Sequence, residues 1–487
     1  MPKIHFVELG QTIDAPNGTT LLQAIHRTGL GVDAPCGGHG KCGKCKVIAD
    51  GREVLACQYA VDADVSVILP QRLSSRILHE GQNVEIPLDP LKPGYLAAFD
   101  IGTTTVVCYL LSPDGEEVAT ASMQNPQCTF GADVMTRIRY AINGGLETLS
   151  TLIENGMGQL LEECCRKAGI GQAQIGVISV VGNPCMQQLF LGLPVNNLAA
   201  VPFSPVLTEA GVQNAEKYFP ACKNAVLLTV PDLSGYVGAD TMGCILATKM
   251  YEVDDTVLLV DIGTNGEMVL CHKGRMTACS TAAGPALEGA GIRFGMRETA
   301  GAIDKVWMED GQIRCSVIGG GEAVGICGSG IVDAVAVLLQ EKRINHRGRM
   351  NAAEEMDGQR IVRLTENVYL TQEDIRQVQL AKGAIAAGIR LMCEHLGITV
   401  GDIRRCILAG AFGTFLNPEN ACRIGLLPEE LSGKITAAGN LAGVGAKMLA
   451  LNQGQLRLSQ ELLNRVEFLE LAQLPTFQRT FAKCMGF

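Results

Sequence analysis

A strand-turn-strand unit occurs twice in this 487-residue chain with the same four letters at its turn. Residues 96–110 read Leu-Ala-Ala-Phe-Asp100-Ile-Gly102-Thr103-Thr104-Thr-Val-Val-Cys-Tyr-Leu, and residues 257–270 read Val-Leu-Leu-Val-Asp261-Ile-Gly263-Thr264-Asn265-Gly-Glu267-Met-Val-Leu. One copy alone is ordinary hairpin chemistry, because Asp and Gly satisfy the local needs of a turn. Recurrence at the head of two segments of similar length says more: it describes a duplicated α/β unit. A tip of Asp, Gly and Thr turns backbone N–H groups and hydroxyls toward phosphate oxygens, and its carboxylate holds Mg2+ through water. Two such tips facing each other grip one polyphosphate from both sides.

Further stretches fit that reading. Arg405-Cys-Ile-Leu408-Ala-Gly410-Ala-Phe-Gly413 is a buried strand running into a double-glycine turn, where a flat adenine can lie on bare backbone. The Ala-rich helix expected over 378–389 carries one central lysine, Lys382, which either contacts ribose or phosphate or snorkels at the surface. Ser329, between Gly328 and Gly330, either meets phosphate at a helix start or caps that helix. Glu267 is a candidate water-positioning base, with strand alternation toward solvent as the competing reading.

A different chemistry opens the chain. Cys36-Gly-Gly-His-Gly-Lys-Cys42-Gly-Lys-Cys45, followed by Cys57, places three thiolates on a tight loop and a fourth on the next strand, the donor set of a [2Fe-2S] cluster. The interleaved glycines let the backbone wrap closely and turn N–H groups toward the cluster's negative charge. Structural zinc sites show two short cysteine pairs, whereas here one pair is flanked by two distant singles. Around the loop, strands are expected over 3–8, 11–15, 46–48, 52–57 and 65–69, with a helix capped by Thr19 or Thr20 and stopped at Gly29. Sheet, one helix and a cluster loop describe a β-grasp ferredoxin.

Composition excludes other classes. A net charge of -10, with no run of Lys or Arg longer than a pair, offers nothing to nucleic acid or an anionic membrane surface. No apolar stretch approaches a membrane span and no export signal opens the sequence, so the expected location is cytoplasmic. The fifteen cysteines outside the cluster loop are expected to be small buried hydrophobes in a reducing compartment.

Asp100-Ile-Gly-Thr, Asp261-Ile-Gly-Thr and Leu408-Ala-Gly-Ala-Phe-Gly resemble the phosphate-1, phosphate-2 and adenosine motifs of the actin, Hsp70 and sugar-kinase ATPases, and Asn440-Leu-Ala-Gly-Val-Gly-Ala resembles their second connecting motif. Joined to an N-terminal iron–sulfur domain, the whole chain is similar to the reductive activators of corrinoid proteins that serve cobalamin-dependent methyltransferase systems. Asn125-Pro-Gln, Gly131-Ala-Asp-Val-Met-Thr-Arg, Gly235-Tyr-Val-Gly-Ala-Asp240, Gly284-Pro-Ala-Leu-Glu-Gly and Gly325-Ile-Cys-Gly-Ser-Gly-Ile-Val-Asp333 support the resemblance. The expected fold is α/β: a β-grasp ferredoxin domain over 1–72, a linker over 73–93, and an actin-like, ribonuclease H-like ATPase domain in two halves, 94–256 and 257–487.

The resemblance implies ATP-dependent reduction of Co(II) to Co(I) in a corrinoid protein, an upstream low-potential electron donor, and a homodimer. It makes Asp100 and Asp261 Mg2+ and water holders, makes Gly102, Thr103, Thr104, Gly263, Thr264 and Asn265 phosphate binders, and sets Gly410 and Gly413 on adenine. Other readings are an electron donor to a different low-potential metalloprotein, a redox sensor that binds nucleotide without turnover, and a small-molecule kinase, for which an N-terminal electron carrier has no use.

Overall fold

The structure, a computed structural model, describes residues 2–7, 10–16, 18–28, 32, 34, 38–41, 43–69, 86–263, 265–351, 354–356 and 358–487. Cys36, Cys42, Thr264, the helix stop at Gly29 and residues 73–85 of the expected linker lie outside them.

The N-terminal strands β1 (Lys3–Phe6), β2 (Gln11–Asp14), β3 (Lys46–Ala49), β4 (Arg52–Leu55) and β5 (Val65–Ile68) form one sheet in the order β2-β1-β5-β3-β4, with β1 and β5 parallel. Thr20 caps the helix Leu21–Arg27 in a reciprocal box with Gln23. Leu21, Leu22 and Ile25 on that helix meet Ile4, Phe6, Val47 and Val67 of the sheet in one buried cluster. The fourth strand is shorter than expected, because Leu22 N–H takes the Ala56 carbonyl at 2.9 Å while Ala56 N–H bonds Cys45 O at 2.7 Å. That turn lifts Cys57 out of the ladder and sets it beside the cysteine loop.

The next strands are β6 (Tyr95–Ile101), β7 (Thr105–Leu111), β8 (Glu117–Gln124), β9 (Ile175–Gly182), β10 (Gly211–Asn214) and β11 (Val226–Thr229). After them come β12 (Val257–Ile262), β13 (Gly266–His272), β14 (Arg275–Thr281), β15 (Ala302–Glu309), β16 (Gln312–Val317), β17 (Gly325–Ile326), β18 (Glu354–Met356), β19 (Gln359–Arg363), β20 (Tyr369–Thr371), β21 (Arg405–Ala409), β22 (Ile435–Ala437) and β23 (Val466–Phe468). Two sheets share one plan. The first runs β10-β11-β9-β6-β7-β8 and the second β22-β21-β12-β13-β14-β23. In each, the Asp-Ile-Gly-Thr hairpin is antiparallel and its first strand is flanked on the other side by a parallel strand, β9 or β21. The duplication read from the letters is therefore a duplication of architecture.

The helices Ala239–Thr248 and Leu441–Leu451 cross between the two sheets and share a core with Ala98, Val107 and Tyr109 of the first and Val257, Leu259 and Ile407 of the second. At the crossing a Cβ on Gly445 would lie 2.3 Å from Gly243 Cα, so the backbones touch. Ser179 on β9 donates to the Ala446 carbonyl at 2.6 Å and fixes the second helix on the first sheet. The described end of the expected linker is fastened down: Asp89 N–H bonds Leu451 O and Gln453 N–H bonds Asp89 O, both at 2.9 Å. Among the described residues no helix is long and apolar enough to cross a membrane. Thirteen of the fifteen cysteines outside the cluster loop are buried, as small hydrophobes would be; Cys315 and Cys484 are partly exposed.

Candidate functional site

The two Asp-bearing strands end beside each other. Asp100 is the penultimate residue of β6 and Asp261 of β12, Glu267 stands directly opposite Asp261 on β13, and Asp240 sits in the first turn of the helix Ala239–Thr248. These four carboxylates act on one another. Burial, aided by the charge of Asp240, pushes Asp100 up to about 7, against a hydrogen bond from Asn440 that favours its ionised form. Burial with Asp240 and Asp100 lifts Asp261 to about 7, and burial lifts Asp240 to about 6. Glu267 is driven well above the carboxylate range by burial, Asp240 and Asp261, although Ser280 Oγ donates to its Oε1 at 3.2 Å. Like charges confined in a low dielectric cannot all ionise unless a cation joins them. Among the described residues no three acidic, His or Cys groups are close enough to chelate an ion directly.

The first turn, Gly102 to Thr104, has its carbonyls turned inward. Asn125 Nδ2 donates to Gly102 O at 2.8 Å, Arg137 Nη2 to Thr103 O at 2.5 Å, and Asn125 N–H to Thr104 O at 2.9 Å. In a trans peptide the N–H lies on the edge opposite the carbonyl, so the N–H groups of Thr103 and Thr104 face away from these donors. Neither has a protein acceptor among the described residues. Asn183 Nδ2 donates to Thr103 Oγ1 at 3.0 Å and fixes that hydroxyl. The second turn shares the letters but is tighter: three residues separate the paired Ile262 and Gly266, against four between Ile101 and Val106. There Gly263 N–H closes on Asn265 O at 2.9 Å.

Instead of a turn, the double-glycine stretch after β21 forms the short helix Gly410–Phe415. Its first residue, Gly410, has φ +80° and lies so near Asp261 that a Cβ would come within 2.6 Å of Oδ1. The ring of Phe412 abuts Gly328, the first residue of the helix Gly328–Gln340. Ser329 beside it is buried, and its hydroxyl donates to Asp304 O at 3.0 Å. Lys382 is not brought to the carboxylates. It is 1% exposed on the helix Gln372–Leu396, its ammonium donates to the Gly486 carbonyl, and it lies 5.3 Å from the Phe487 ring centre. A cavity of about 690 Å³ beside it is lined by Arg390, Arg423, Lys483 and Cys484.

Of the cluster cysteines, Cys45 and Cys57 are 1% and 7% exposed. In the described part of the loop before them Gly38 and Gly40 have φ of +84° and +71°, and a Cβ on Gly40 would lie 2.7 Å from Gln58 Nε2, so the backbone passes close beside Cys57 as a cluster loop requires. This domain touches both halves of the body. Lys44 of the cysteine loop donates to Gly295 O in the second half at 2.9 Å, and the His26 ring lies 4.8 Å from that of Phe130 in the first.

Asp240, Arg137, Asn125, Asn183 and Asn440 carry this geometry without having been singled out as site residues in the sequence. All but Asn183 lie in stretches that support the family resemblance, and Asn183-Pro184 is the signal that marks the last, a capping residue before an N-terminal proline.

Residues 255–487 match the family described as the C-terminal domain of RACo, the ASKHA domain; residues 95–253 match the RACo middle region; and residues 5–65 match the 2Fe-2S iron–sulfur cluster binding domain. The corrinoid activation enzyme RamQ of Eubacterium limosum is 31% identical, the alignment covering 98% of each chain. The [Co(II) methylated amine-specific corrinoid protein] reductase of Methanosarcina barkeri is 25% identical over 80% of this chain and 76% of its own. Among solved structures, a reductive activator for corrinoid, iron–sulfur protein superimposes with a TM-score of 0.74 at 26% identity, over all of this chain and 98% of that one.

Proposed function

Because the chain belongs to the family of reductive activators of corrinoid proteins, we propose that it returns a corrinoid protein from inactive Co(II) to Co(I), consuming ATP. The observation that carries this reading is the meeting of one acidic hairpin tip from each half, with a cysteine-bearing domain resting against both halves. Cys36, Cys42, Cys45 and Cys57 hold the [2Fe-2S] cluster, which when bound supplies a one-electron carrier of low potential. Such centres lie near roughly -400 mV. Cobalt in the Co(II)/Co(I) couple lies lower still, and a gap of about 100–200 mV for one electron is about 2–5 kcal/mol. ATP-linked closure offsets that gap if the nucleotide-bound protein prefers a corrinoid whose Co(II) has lost its lower axial ligand.

In this reading Gly102, Thr103 and Thr104 take phosphate through N–H groups and hydroxyls, and Gly263, Thr264 and Asn265 take it from the other side. The adenosine lies over Gly410 and Gly413. Asp100, Asp240 and Asp261 would hold Mg2+ through bound water, in their ionised forms. Glu267, opposite Asp261, would orient the attacking water. Gly328 offers backbone at a helix start, because the Ser329 hydroxyl is committed to Asp304. Lys382 reaches nucleotide only when Gly486 and Phe487 withdraw. An upstream low-potential donor reloads the cluster, the protein acts as a homodimer, and it works in the cytoplasm, where thiols stay reduced.

The test is which compound stimulates ATP turnover. Stimulation by a corrinoid protein in the Co(II) state supports the reading. Stimulation by a small hydroxylated compound and not by corrinoid protein transfers the fold to a kinase.

A further inference from the structure

Arg137 lies on the helix Val134–Tyr140 and is completely buried. Its five N–H groups find five acceptors: Gly131 O at 2.9 Å from Nε, Gln127 Oε1 at 3.3 Å and Met186 Sδ at 3.1 Å from Nη1, and Thr103 O at 2.5 Å and Cys128 Sγ at 3.2 Å from Nη2. None of the five acceptors is a carboxylate. Asp133 acts on it electrostatically, but both oxygens of that carboxylate are taken by Thr136, from N–H and Oγ1 at 2.8 Å each. Among the described residues no carboxylate forms an ion pair with Arg137. A full charge left unpaired inside a protein is costly, and it persists where a ligand of opposite sign completes it.

The position of that charge names the ligand. Arg137 grips the Thr103 carbonyl, and the same peptide presents the Thr104 N–H on its far edge. The turn Pro126–Thr129 adds the Cys128 thiol, 3.6 Å from Thr103 O, so one buried knot orients the loop and charges it from behind. We infer that Arg137 is the positioning residue of the nucleotide's phosphates: it holds the Thr103–Thr104 peptide with its N–H outward and supplies the positive potential that a triphosphate completes. This rests on the reading that the Gly102–Thr104 turn takes phosphate.

The test compares ATP with adenosine, which has the base and ribose but no phosphate. Binding of both is measured by calorimetry on full-length protein with its cluster, for wild type, Arg137→Gln and Arg137→Lys. Arg137→Gln is expected to weaken ATP by about tenfold or more, through loss of charge and of the grip on Thr103, while adenosine changes by less than about twofold. Arg137→Lys keeps the charge but, with three donors in place of five, loses the forked grip on Thr103, and is expected to weaken ATP by a smaller factor, about threefold, with adenosine unchanged. Should Arg137→Gln fail to fold, Arg137→Lys decides alone: a loss confined to ATP supports the inference. Equal losses for ATP and adenosine make Arg137 a structural residue only and overturn it, as does unchanged ATP affinity in Arg137→Gln. Absence of ATP binding in wild type overturns the nucleotide reading itself, and the inference with it.

Discussion

Asn440 Nδ2 donates to Asp100 Oδ2 at 2.8 Å, joining residues 340 positions apart in sequence. The same side chain caps the helix Leu441–Leu451 by accepting Gly443 N–H at 2.8 Å, so the connecting helix of the second half is anchored on the catalytic-candidate carboxylate of the first. Replacing Asn440 with Ala removes the cap, which costs about 1 kcal/mol, and removes the bond that favours ionised Asp100. The expected result is a lower melting temperature together with an acid limb of the ATPase pH profile displaced to higher pH. A lower melting temperature with an unmoved limb would separate Asp100 from turnover.

Stability of nucleotide-free protein should fall as pH rises from 5 to 8. Asp100 and Asp261 have folded-state values of about 7, above the usual carboxylate range, so between roughly pH 4 and 7 the folded chain binds more protons than the unfolded one. Their contribution is complete below the unfolded value and is lost as pH passes the folded one. In the proposed function Mg-ATP binds the ionised groups, so it should stabilise more at pH 8 than at pH 5. Thermal melts at both pH values, with and without Mg-ATP, check the crossing of the two trends.

Asp240 is the charge common to the other three carboxylates. In Asp240→Asn its share of the repulsion is gone, so Asp100 and Asp261 should titrate lower and the acid limb shift toward lower pH. In the proposed site Mg2+ loses one partner, so the Mg2+ concentration for half-maximal ATPase should rise by about tenfold. A Mg2+ titration of the variant reads this directly.

Cys45 and Cys57 belong to a domain with its own core, which meets the ATPase body at Lys44 on Gly295 and at His26 beside Phe130. Cys57→Ser should therefore lose iron and visible absorption and abolish corrinoid reduction, while Mg-ATP affinity stays within about twofold of wild type. Iron content and calorimetry on the same preparation measure both.

The hairpin repeat was legible because its letters carry the turn chemistry and the strand periodicity together. Its difference in turn length was not, since Thr103-Thr104-Thr105 and Thr264-Asn265 read alike until strand register counts the residues between paired positions. The β-grasp fold followed from short alternating strands around one capped helix, whereas the strand order β2-β1-β5-β3-β4 needed the structure. Arg137 was hidden for a physical reason: an arginine on an amphipathic helix reads as solvated, and only the packing of Gln127, Cys128 and Met186 around it shows otherwise. The two readings of Lys382 both missed the C-terminal Gly486 and Phe487, because a contact between residues 104 positions apart has no local signature. Glu267 was poised between cleft and solvent by alternation, and the register opposite Asp261 places it in the acidic cluster.

In the proposed function one machine couples nucleotide to an uphill electron. That coupling is tested most directly by following the Co(II) absorption band of a corrinoid protein mixed anaerobically with this protein and a strong reductant. The prediction is bleaching with Mg-ATP, none without it, and none with Asp261→Asn at the same iron content. Bleaching at equal rate and extent in the absence of ATP, or in the Asp261→Asn protein, would contradict the account.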